Sequence, residues 1–265
     1  MTTVTTKKKL AVLGNGFLAG IIVEAYNKGL LEEYELTGIL GRTKEKTEAL
    51  AEKGGCRPCS TLEELLEDKP DYVAEAASVK AVQDYGMKIL SGGADMILLS
   101  IGALADETFY RKISECAKEN GRKIHIASGA IGGFDVLRTI SLMGQAQTSF
   151  RTKKGPKSLS GIPLFEEGLM TDREEKQVFH GSAKEAISIL PTKVNVAIAA
   201  SLASSGPENV DMSIFSVPEM VGDDHKITAQ IPGVKAELDI YSSTSAIAGW
   251  SVVAVLRNLV SPIVF

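Results

Sequence analysis

Short apolar runs alternate with helix-like stretches through the first half of the chain. The runs predict buried strands at residues 9–13, 34–40, 72–76, 96–99 and 123–127, with a weaker strand near Arg57. Between them, apolar positions repeat at helical spacing over residues 17–27, 44–53, 61–67, 81–90 and 107–120. Strands that alternate with helices in this way form parallel, doubly wound sheets. We therefore expect an α/β domain over residues 1–127.

The pattern changes after Ser128, where strands become more frequent than helices. Helices are expected at 133–143, 182–189 and 194–204, and strands at 147–153, 210–217, 225–231 and 234–241, the last three antiparallel. Residues 154–172 are expected to form a loop, and 244–259 a closing helix. The prediction is a second, α+β domain over 128–243, with 244–265 packed back on the first domain. The open sheet expected here favours pairing with a second copy, so a homodimer is predicted.

Composition excludes several classes of protein. The 265 residues include 29 Lys and Arg against 33 Asp and Glu, a net charge of −4 without a basic tract, so no nucleic-acid partner is expected. Apolar runs are shorter than the ~20 residues of a membrane span, so no membrane association is expected. Residues 1–9 lead into a strand and are not expected to be a signal peptide. Three cysteines suit a reducing cytoplasm, and the lone C-x-x-C of Cys56 and Cys59 predicts no metal site.

A glycine-rich turn after the first strand contains the sharpest motif. Gly14-Asn15-Gly16-Phe17-Leu18-Ala19 matches G-x-G-x-x-G/A at the start of a helix. Gly14 permits the tight turn, and Gly16 lets a pyrophosphate approach the backbone. The helix N-terminus at Phe17 and Leu18 offers free N–H groups and a partial positive charge to the anion. The context predicts a Rossmann dinucleotide-binding domain; the alternative is a turn with a purely structural role.

The end of the second strand bears on which dinucleotide binds. An NAD enzyme of this kind usually ends that strand with a carboxylate for the ribose 2′-OH. This chain has Leu40-Gly41-Arg42-Thr43 instead. The Arg42 guanidinium can bind a 2′-phosphate or stack on adenine, and Thr43 can add a hydrogen bond. We therefore expect NADP to be used, with NAD also accepted.

Three further segments follow predicted strands and are expected at the same edge of the sheet. They are Glu75–Ser78, Ser100–Asp106 and Ser128–Gly133. Their small residues leave room for a nicotinamide ring and a substrate, and their serines offer hydroxyls. The alternative is that glycine and serine only satisfy tight loops.

Together with Val194–Ala197 and Thr244–Ala246, these segments resemble the L-aspartate dehydrogenase family over nearly the whole chain. The resemblance implies a Rossmann domain and an α+β domain for substrate binding and dimerisation. It also implies reversible oxidation of L-aspartate to iminoaspartate, which hydrolyses to oxaloacetate and ammonia and can feed NAD biosynthesis. With the residues above, it assigns cofactor binding to Ala76, Ala77, Ser78, Ser100, Gly102, Ala130 and Asn195. It assigns substrate binding to Ser128, Gly129, Thr244 and Ser245.

Oxidation of an amine needs a group that moves protons, and histidine suits this near neutral pH. His125 lies inside a predicted strand and is expected to be structural, and His180 is expected in a loop without a motif. His225 follows Asp223 and Asp224, in the region where the family has its catalytic histidine. We predict His225 as the acid/base, its ring oriented by these carboxylates; the alternative is a solvated strand-edge histidine.

The expected substrate is a small amino acid or 2-oxo acid, and a dicarboxylate needs a cation, for which Lys193 is a candidate. The family pattern is closer to Asn-x-His where this chain has Asp223-Asp224-His225, which leaves the substrate open. One alternative is another NAD(P)H-dependent reductase on the same plan, such as a dihydrodipicolinate reductase or sugar oxidoreductase. However, their His-His pair with a nearby Lys and their Glu-Lys-Pro are absent from the sequence. Another alternative is a non-catalytic NAD(P)-binding sensor.

Overall fold

The computed structural model describes residues 6–190 and 195–265, and their contacts divide the chain into two units. The first unit runs to Ala127 and also includes Ala248–Phe265, and the second is Ser128–Ile247. Within the described ranges, no helix has both the length and the hydropathy that crossing a membrane requires.

The first unit is built on a parallel sheet. Its strands are β1 (Lys8–Leu13), β2 (Tyr34–Leu40), β3 (Arg57–Cys59), β4 (Tyr72–Glu75), β5 (Asp95–Leu98) and β6 (Ile124–Ile126). Its first helices are α1 (Phe17–Asn27), α2 (Lys44–Gly54), α3 (Leu62–Glu67), α4 (Val79–Ser91) and α5 (Glu107–Glu119), with a 3₁₀ turn at Ile101–Ala105. The strand order is β3-β2-β1-β4-β5-β6, and all neighbours are parallel. The predicted doubly wound sheet is confirmed, and its order reverses between β1 and β4, where such sheets bind ligands.

The second unit has a mixed, open sheet. Its strands are β7 (Gln147–Lys154), β8 (Lys176–Ser182), β9 (Val210–Ser216), β10 (Asp223–Ile231) and β11 (Val234–Ser242). The remaining helices are α6 (Phe134–Met143), α7 (Pro156–Leu159), α8 (Ala183–Ile189), α9 (Asn195–Leu202) and α10 (Ala246–Val260), with a 3₁₀ turn at Glu167–Met170. The strand order is β11-β10-β7-β9-β8.

Two expectations for this sheet are wrong. Strand β8 was not expected, because Lys176–Ser182 mixes charged and small residues and lacks a clear apolar alternation. The last three strands are not one antiparallel set, because β9 pairs with β7 in parallel and with β8 antiparallel. Only β10 and β11 form the expected hairpin. Parallel pairing of distant strands leaves no local sequence pattern, so spacing alone could not reveal it.

The closing helix α10 packs from Ala248 onward against the core of the first unit. Val252 and Leu256 are fully buried there, and the Tyr34 hydroxyl donates to the Leu256 carbonyl at 2.6 Å. Gly249 lies against Ile21, where a Cβ would come within 2.7 Å of the Ile21 Cδ1. The helix therefore fits closely at this point because glycine carries no side chain.

Candidate functional site

A cleft of about 670 Å³ lies at the carboxyl ends of β1, β2 and β4. Gly14 has a φ of +134°, and a Cβ there would lie 2.4 Å from the carbonyl oxygen of Ala76, so this position requires glycine. A Cβ on Gly16 would meet none of the described atoms within 4 Å, so the space before α1 is open. The first turn of α1 contains no acidic residue. Its free N–H groups and positive dipole end therefore fit the pyrophosphate of a dinucleotide.

Asn15 joins this turn to the turn after β2. Its Nδ2 donates to the carbonyl of Thr43 at 2.8 Å and to the hydroxyl of Thr47 at 2.9 Å. Gly41 lies against the same side chain, where a Cβ would come within 2.2 Å of the Asn15 Cγ. Asn15 therefore sets the spacing of the two turns. The glycine motif leaves this position variable, so the sequence predicts no role for Asn15.

Positive charge collects at the β2 end of the cleft. Arg42, Thr43 and Lys46 line this end, and both cations are exposed. The carboxylate of Asp84 also lines the cleft, but the Lys80 ammonium lies 2.9 Å from each of its oxygens. The lining therefore presents an excess of positive charge to an anionic ligand.

Glu75, the last residue of β4, is a fully buried carboxylate beside the cleft. Its Oε1 accepts from the Ala77 N–H at 2.7 Å and the Ser100 hydroxyl at 2.8 Å. Its Oε2 accepts from the Ser100 N–H at 2.8 Å and the Leu99 N–H at 3.2 Å. Burial raises the pKa of Glu75, and these hydrogen bonds oppose the rise. The side chain therefore joins the turn after β4 to the turn after β5.

The sequence alone predicts no role for Glu75. The signal in the sequence that could have revealed its role is a carboxylate at the end of an otherwise apolar strand, since such a group needs several donors when buried.

Two predicted serines also prove to have partners within the protein. The Ser100 hydroxyl donates to Glu75, and the Ser78 hydroxyl accepts from the Ala81 N–H and caps α4.

His225 lies in β10 and is 2% exposed. Its Nδ1 is 2.9 Å from the hydroxyl of Thr152, the residue opposite it on β7. Its Nε2 is 4.0 Å from Asp223 Oδ2, which lies 2.7 Å from the Lys154 ammonium. We call Thr152, Lys154, Asp223 and His225 the His225 cluster. Because β10 lies between β11 and β7, His225 is not the solvated strand-edge residue considered above.

Burial and the charges of the cluster together shift the pKa of His225. Burial, and next the positive charge of Lys154, lower the pKa of His225 to about 4, while Asp223 opposes this. The imidazole is therefore neutral at pH 7 and can accept a proton. Of the two carboxylates expected to orient the ring, Asp223 is near it. Burial, and next the neighbouring Asp239, raise the pKa of Asp224, which interacts with Asp239 instead.

The segments predicted for the substrate lie in the second unit. Gly129 has a φ of +65°, and a Cβ there would be 3.8 Å from Val196, so this loop adjoins the start of α9. The Thr244 hydroxyl accepts from the N–H of Ala246, the first residue of α10, at 3.2 Å. Two residues earlier, Ser242 pairs with Asp223 of the His225 cluster. Lys193, the predicted cation, lies outside the described residues.

Two protein-family models match the chain. The model described as aspartate dehydrogenase, C-terminal, matches residues 135–259, and that described as homoserine dehydrogenase, NAD binding domain, matches 14–127. An L-aspartate dehydrogenase of Methanococcus maripaludis is 36% identical over 264 residues, which cover 96% of this chain and 98% of that protein. An L-aspartate dehydrogenase of Methanosarcina barkeri is 32% identical with the same coverage. This chain belongs to the L-aspartate dehydrogenase family.

Solved structures agree with membership of the L-aspartate dehydrogenase family. The crystal structure of aspartate dehydrogenase from Thermotoga maritima has a TM-score of 0.76 at 27% identity and covers 97% of this chain and 99% of that chain. A homoserine dehydrogenase from Thiobacillus denitrificans, 14% identical with a TM-score of 0.62, shares the fold alone. The predicted resemblance is confirmed, and the chain is an NAD(P)-dependent amino-acid dehydrogenase with a nicotinamide-dinucleotide-binding first unit.

Within this L-aspartate dehydrogenase family member, the predicted cofactor residues fall into separate groups. Those that line the cleft are Gly14, Gly16, Arg42, Thr43, Ala76, Ala77 and Ser78. Phe17 and Leu18 are the first two residues of α1. The Phe17 side chain is exposed, and that of Leu18 packs against the core. Gly102 is buried in the 3₁₀ turn, and Ala130 and Asn195 belong to the second unit.

The other two histidines have partners of their own. His180 lies in β8, so its expected position in a loop is wrong; its Nδ1 is 3.3 Å from the Ser213 hydroxyl and 3.4 Å from Asp211. His125 lies in β6, where its Nε2 is 3.3 Å from Asp95. These contacts join neighbouring strands.

The C-x-x-C pair is held as protonated thiols. Burial raises the pKa of Cys56 to about 12 and also raises the pKa of Cys59. Among residues 6–190 and 195–265, no group of three His, Cys, Asp or Glu side chains could hold a metal ion.

Proposed function

We propose that this protein catalyses the reversible, NAD(P)-dependent oxidation of L-aspartate to iminoaspartate, which hydrolyses to oxaloacetate and ammonia. The observation that carries the proposal is the match of L-aspartate dehydrogenases to 96% of the chain. The His225 cluster, within the segment matched by the C-terminal family model, supports it chemically.

The bound cofactor supplies the hydride acceptor for oxidation and the hydride donor for the reverse reaction. On the protein side, Gly14, Gly16 and the α1 N-terminus bind the pyrophosphate, since they combine close backbone approach with free N–H groups. Glu75 holds the backbone of Ala77 and Ser100 beside that cleft. These groups orient the cofactor but take no part in proton transfer.

His225 handles the protons in this proposal. When Nδ1–H donates to Thr152, the Nε2 lone pair can take a proton from the substrate ammonium or from water attacking the imine. The Asp223 carboxylate, 4.0 Å from Nε2, stabilises the imidazolium that forms. In reductive amination the same imidazolium returns the proton.

Absorbance at 340 nm tests the activity directly. We expect NAD(P)H to be consumed with oxaloacetate only when ammonium is also present. Consumption without ammonium would indicate a 2-oxo-acid reductase, and cofactor binding without consumption on a panel of 2-oxo acids would indicate a sensor. His225→Asn should lose most of kcat while still binding cofactor. His180→Asn, an exposed histidine in β8, is the matched control and should remain near wild type.

We also propose that NADP is the preferred cofactor, with NAD accepted. The support is the pair of cations, Arg42 and Lys46, where a carboxylate would otherwise bind the ribose 2′-OH. The kcat/KM for NADPH should exceed that for NADH, and Arg42→Gln should reduce the preference roughly tenfold, as expected for a charged hydrogen bond. Arg111→Gln, a change on the exposed helix α5, is the control. A large preference of the wild type for NADH would contradict the assignment.

A cytoplasmic homodimer is the assembly we propose. The second sheet is open, with β11 and β8 at its edges, and unpaired edges favour association with another copy. The three cysteines are free thiols, as suits a reducing compartment. Light scattering coupled to gel filtration should give twice the mass of the chain; a monomeric mass at micromolar concentration would contradict the proposal.

A further inference from the structure

Lys154, the last residue of β7, is a cation beside His225. Its side chain is 13% exposed, and its ammonium lies 2.7 Å from Asp223 Oδ2, the oxygen that is 4.0 Å from His225 Nε2. Lys193 was the only cation predicted from the sequence for a dicarboxylate substrate. Lys154 and Asp223 are 69 positions apart in the chain (223 − 154 = 69), and strand pairing brings them together.

Strand register places this cation on the same sheet face as His225. Lys154 lies opposite Asp223, and Thr152 lies opposite His225. The two residues of each strand are two positions apart. Because side chains alternate between faces, all four point to one side of the sheet. Lys153, one position earlier, therefore points to the other side, where it pairs with Glu175. The two adjacent lysines differ in face and partner but not in charge.

The position directs the Lys154 ammonium toward Asp223. An unpaired ammonium is costly to bury, and Asp223 offsets that cost. The side chain also borders a small apolar cavity with Phe150, Met212 and Ile214, which fits its hydrocarbon stem. An ammonium has three N–H donors, so the group can hold Asp223 and an incoming carboxylate together.

We propose that Lys154 binds a carboxylate of the substrate next to His225, and that Asp223 is the positioning residue that holds the ammonium there. This inference rests on the proposed function, because it takes the substrate to be an amino acid or 2-oxo acid. Lys154 then fixes the reacting carbon relative to the imidazole, and both groups belong to one sheet face.

Steady-state kinetics on two matched variants test the proposal. Lys154→Gln should raise KM for oxaloacetate at least tenfold, the effect of a lost charged hydrogen bond, with KM for NADPH unchanged. Lys153→Gln removes the same charge on the opposite face and should change neither. Lys154→Met retains the apolar stem and should raise KM for oxaloacetate in the same way, which separates loss of the charge from a disturbance of packing by glutamine. Equal KM values for oxaloacetate in both glutamine variants would overturn the proposal.

The double variant Lys154→Gln, Asp223→Asn separates binding from repulsion. In the single variant, the unpaired Asp223 carboxylate could itself repel an anionic substrate. If Lys154 binds the carboxylate, KM stays raised in the double variant. Recovery of the wild-type KM would assign the effect to Asp223 and overturn the proposal.

Calorimetry with succinate, an unreactive dicarboxylate, tests the inference without turnover. Succinate should bind the wild-type and Lys153→Gln proteins in the presence of NADP⁺, and at least tenfold more weakly to Lys154→Gln. Equal succinate affinity in all three proteins would overturn the role of Lys154. A wild-type protein that does not bind succinate would also overturn it. If succinate shows the Lys154 dependence while oxaloacetate and ammonium give no turnover, the proposed function fails and the carboxylate site stands.

Discussion

Replacement of Glu75 by glutamine should destabilise the first unit, although the side chains have the same shape. The carboxylate accepts four hydrogen bonds, two at each oxygen, from Ala77, Leu99 and Ser100. Glutamine retains one acceptor oxygen and carries an NH₂ donor in place of the other. When the NH₂ group lies on the Oε1 side, the Ser100 hydroxyl can rotate to accept from it, so only the Ala77 N–H loses its acceptor. An orphaned donor costs about 1–3 kcal/mol, and removal of a buried charge returns part of this. We expect the free energy of unfolding to fall by about 1–2 kcal/mol.

Urea unfolding followed by circular dichroism measures this loss. Glu35→Gln is the matched control, because Glu35 is an exposed strand carboxylate on β2, and its change should stay within about 0.5 kcal/mol. The surviving Glu75→Gln protein should also bind NADPH more weakly, because Ala77 lines the cleft. A variant as stable as Glu35→Gln would refute the claim that the carboxylate is needed to hold the two turns together.

Two further predictions concern the turn and the histidine. Gly14→Ala should weaken NADPH binding at least tenfold, as measured by calorimetry, because its Cβ would lie 2.4 Å from the Ala76 carbonyl oxygen. The control is Gly168→Ala, whose Cβ would lie in open space and should leave NADPH binding unchanged. The pKa of His225 rises on unfolding from about 4 to its ordinary 6.5, so the unfolded state binds the extra proton between these values. Through this group, the free energy of unfolding should therefore be ~2 kcal/mol lower at pH 5 than at pH 7. Urea titrations should show this difference in the wild type and not in His225→Asn. The same dependence of the unfolding free energy on pH in both proteins would contradict the prediction.

Local patterns predicted most of the first unit. The apolar run of β1 and the helical spacing of apolar residues in α1 both reflect the side chains that are buried in the core. Gly14, between these two elements, is required by backbone geometry. The phosphate turn was therefore visible in sequence. The role of Glu75 was not visible, because its donors at Leu99 and Ser100 come from the turn after β5, 24 and 25 positions away.

The second unit was harder to predict because its contacts are distant in sequence. Pairing of β9 with β7 and of Lys154 with Asp223 depends on which strands become neighbours, and periodicity does not report this. His225 was predicted as the acid/base from its chemistry and from the family resemblance. Its burial and its Thr152 partner could not be read from Asp223-Asp224-His225 alone.

The structure shows what surrounds Asp223, the position at which this chain departs from the family pattern. Where the resemblance expects asparagine, this chain has a carboxylate that lies against a cation and near the imidazole. Lys154 lowers the pKa of His225 and Asp223 raises it, so the effects of these two charges on the pKa of His225 partly cancel. Aspartate at 223 is therefore compatible with a neutral histidine.

Identification of the product tests the central claim most directly. Purified protein is incubated with oxaloacetate, ammonium and NADPH, and the amino acid formed is separated on a chiral column and quantified against the NADPH oxidised. We predict one L-aspartate for each NADPH consumed, with the yield lost in His225→Asn and kept in His180→Asn. Formation of malate, or NADPH oxidation without L-aspartate, would contradict the assignment.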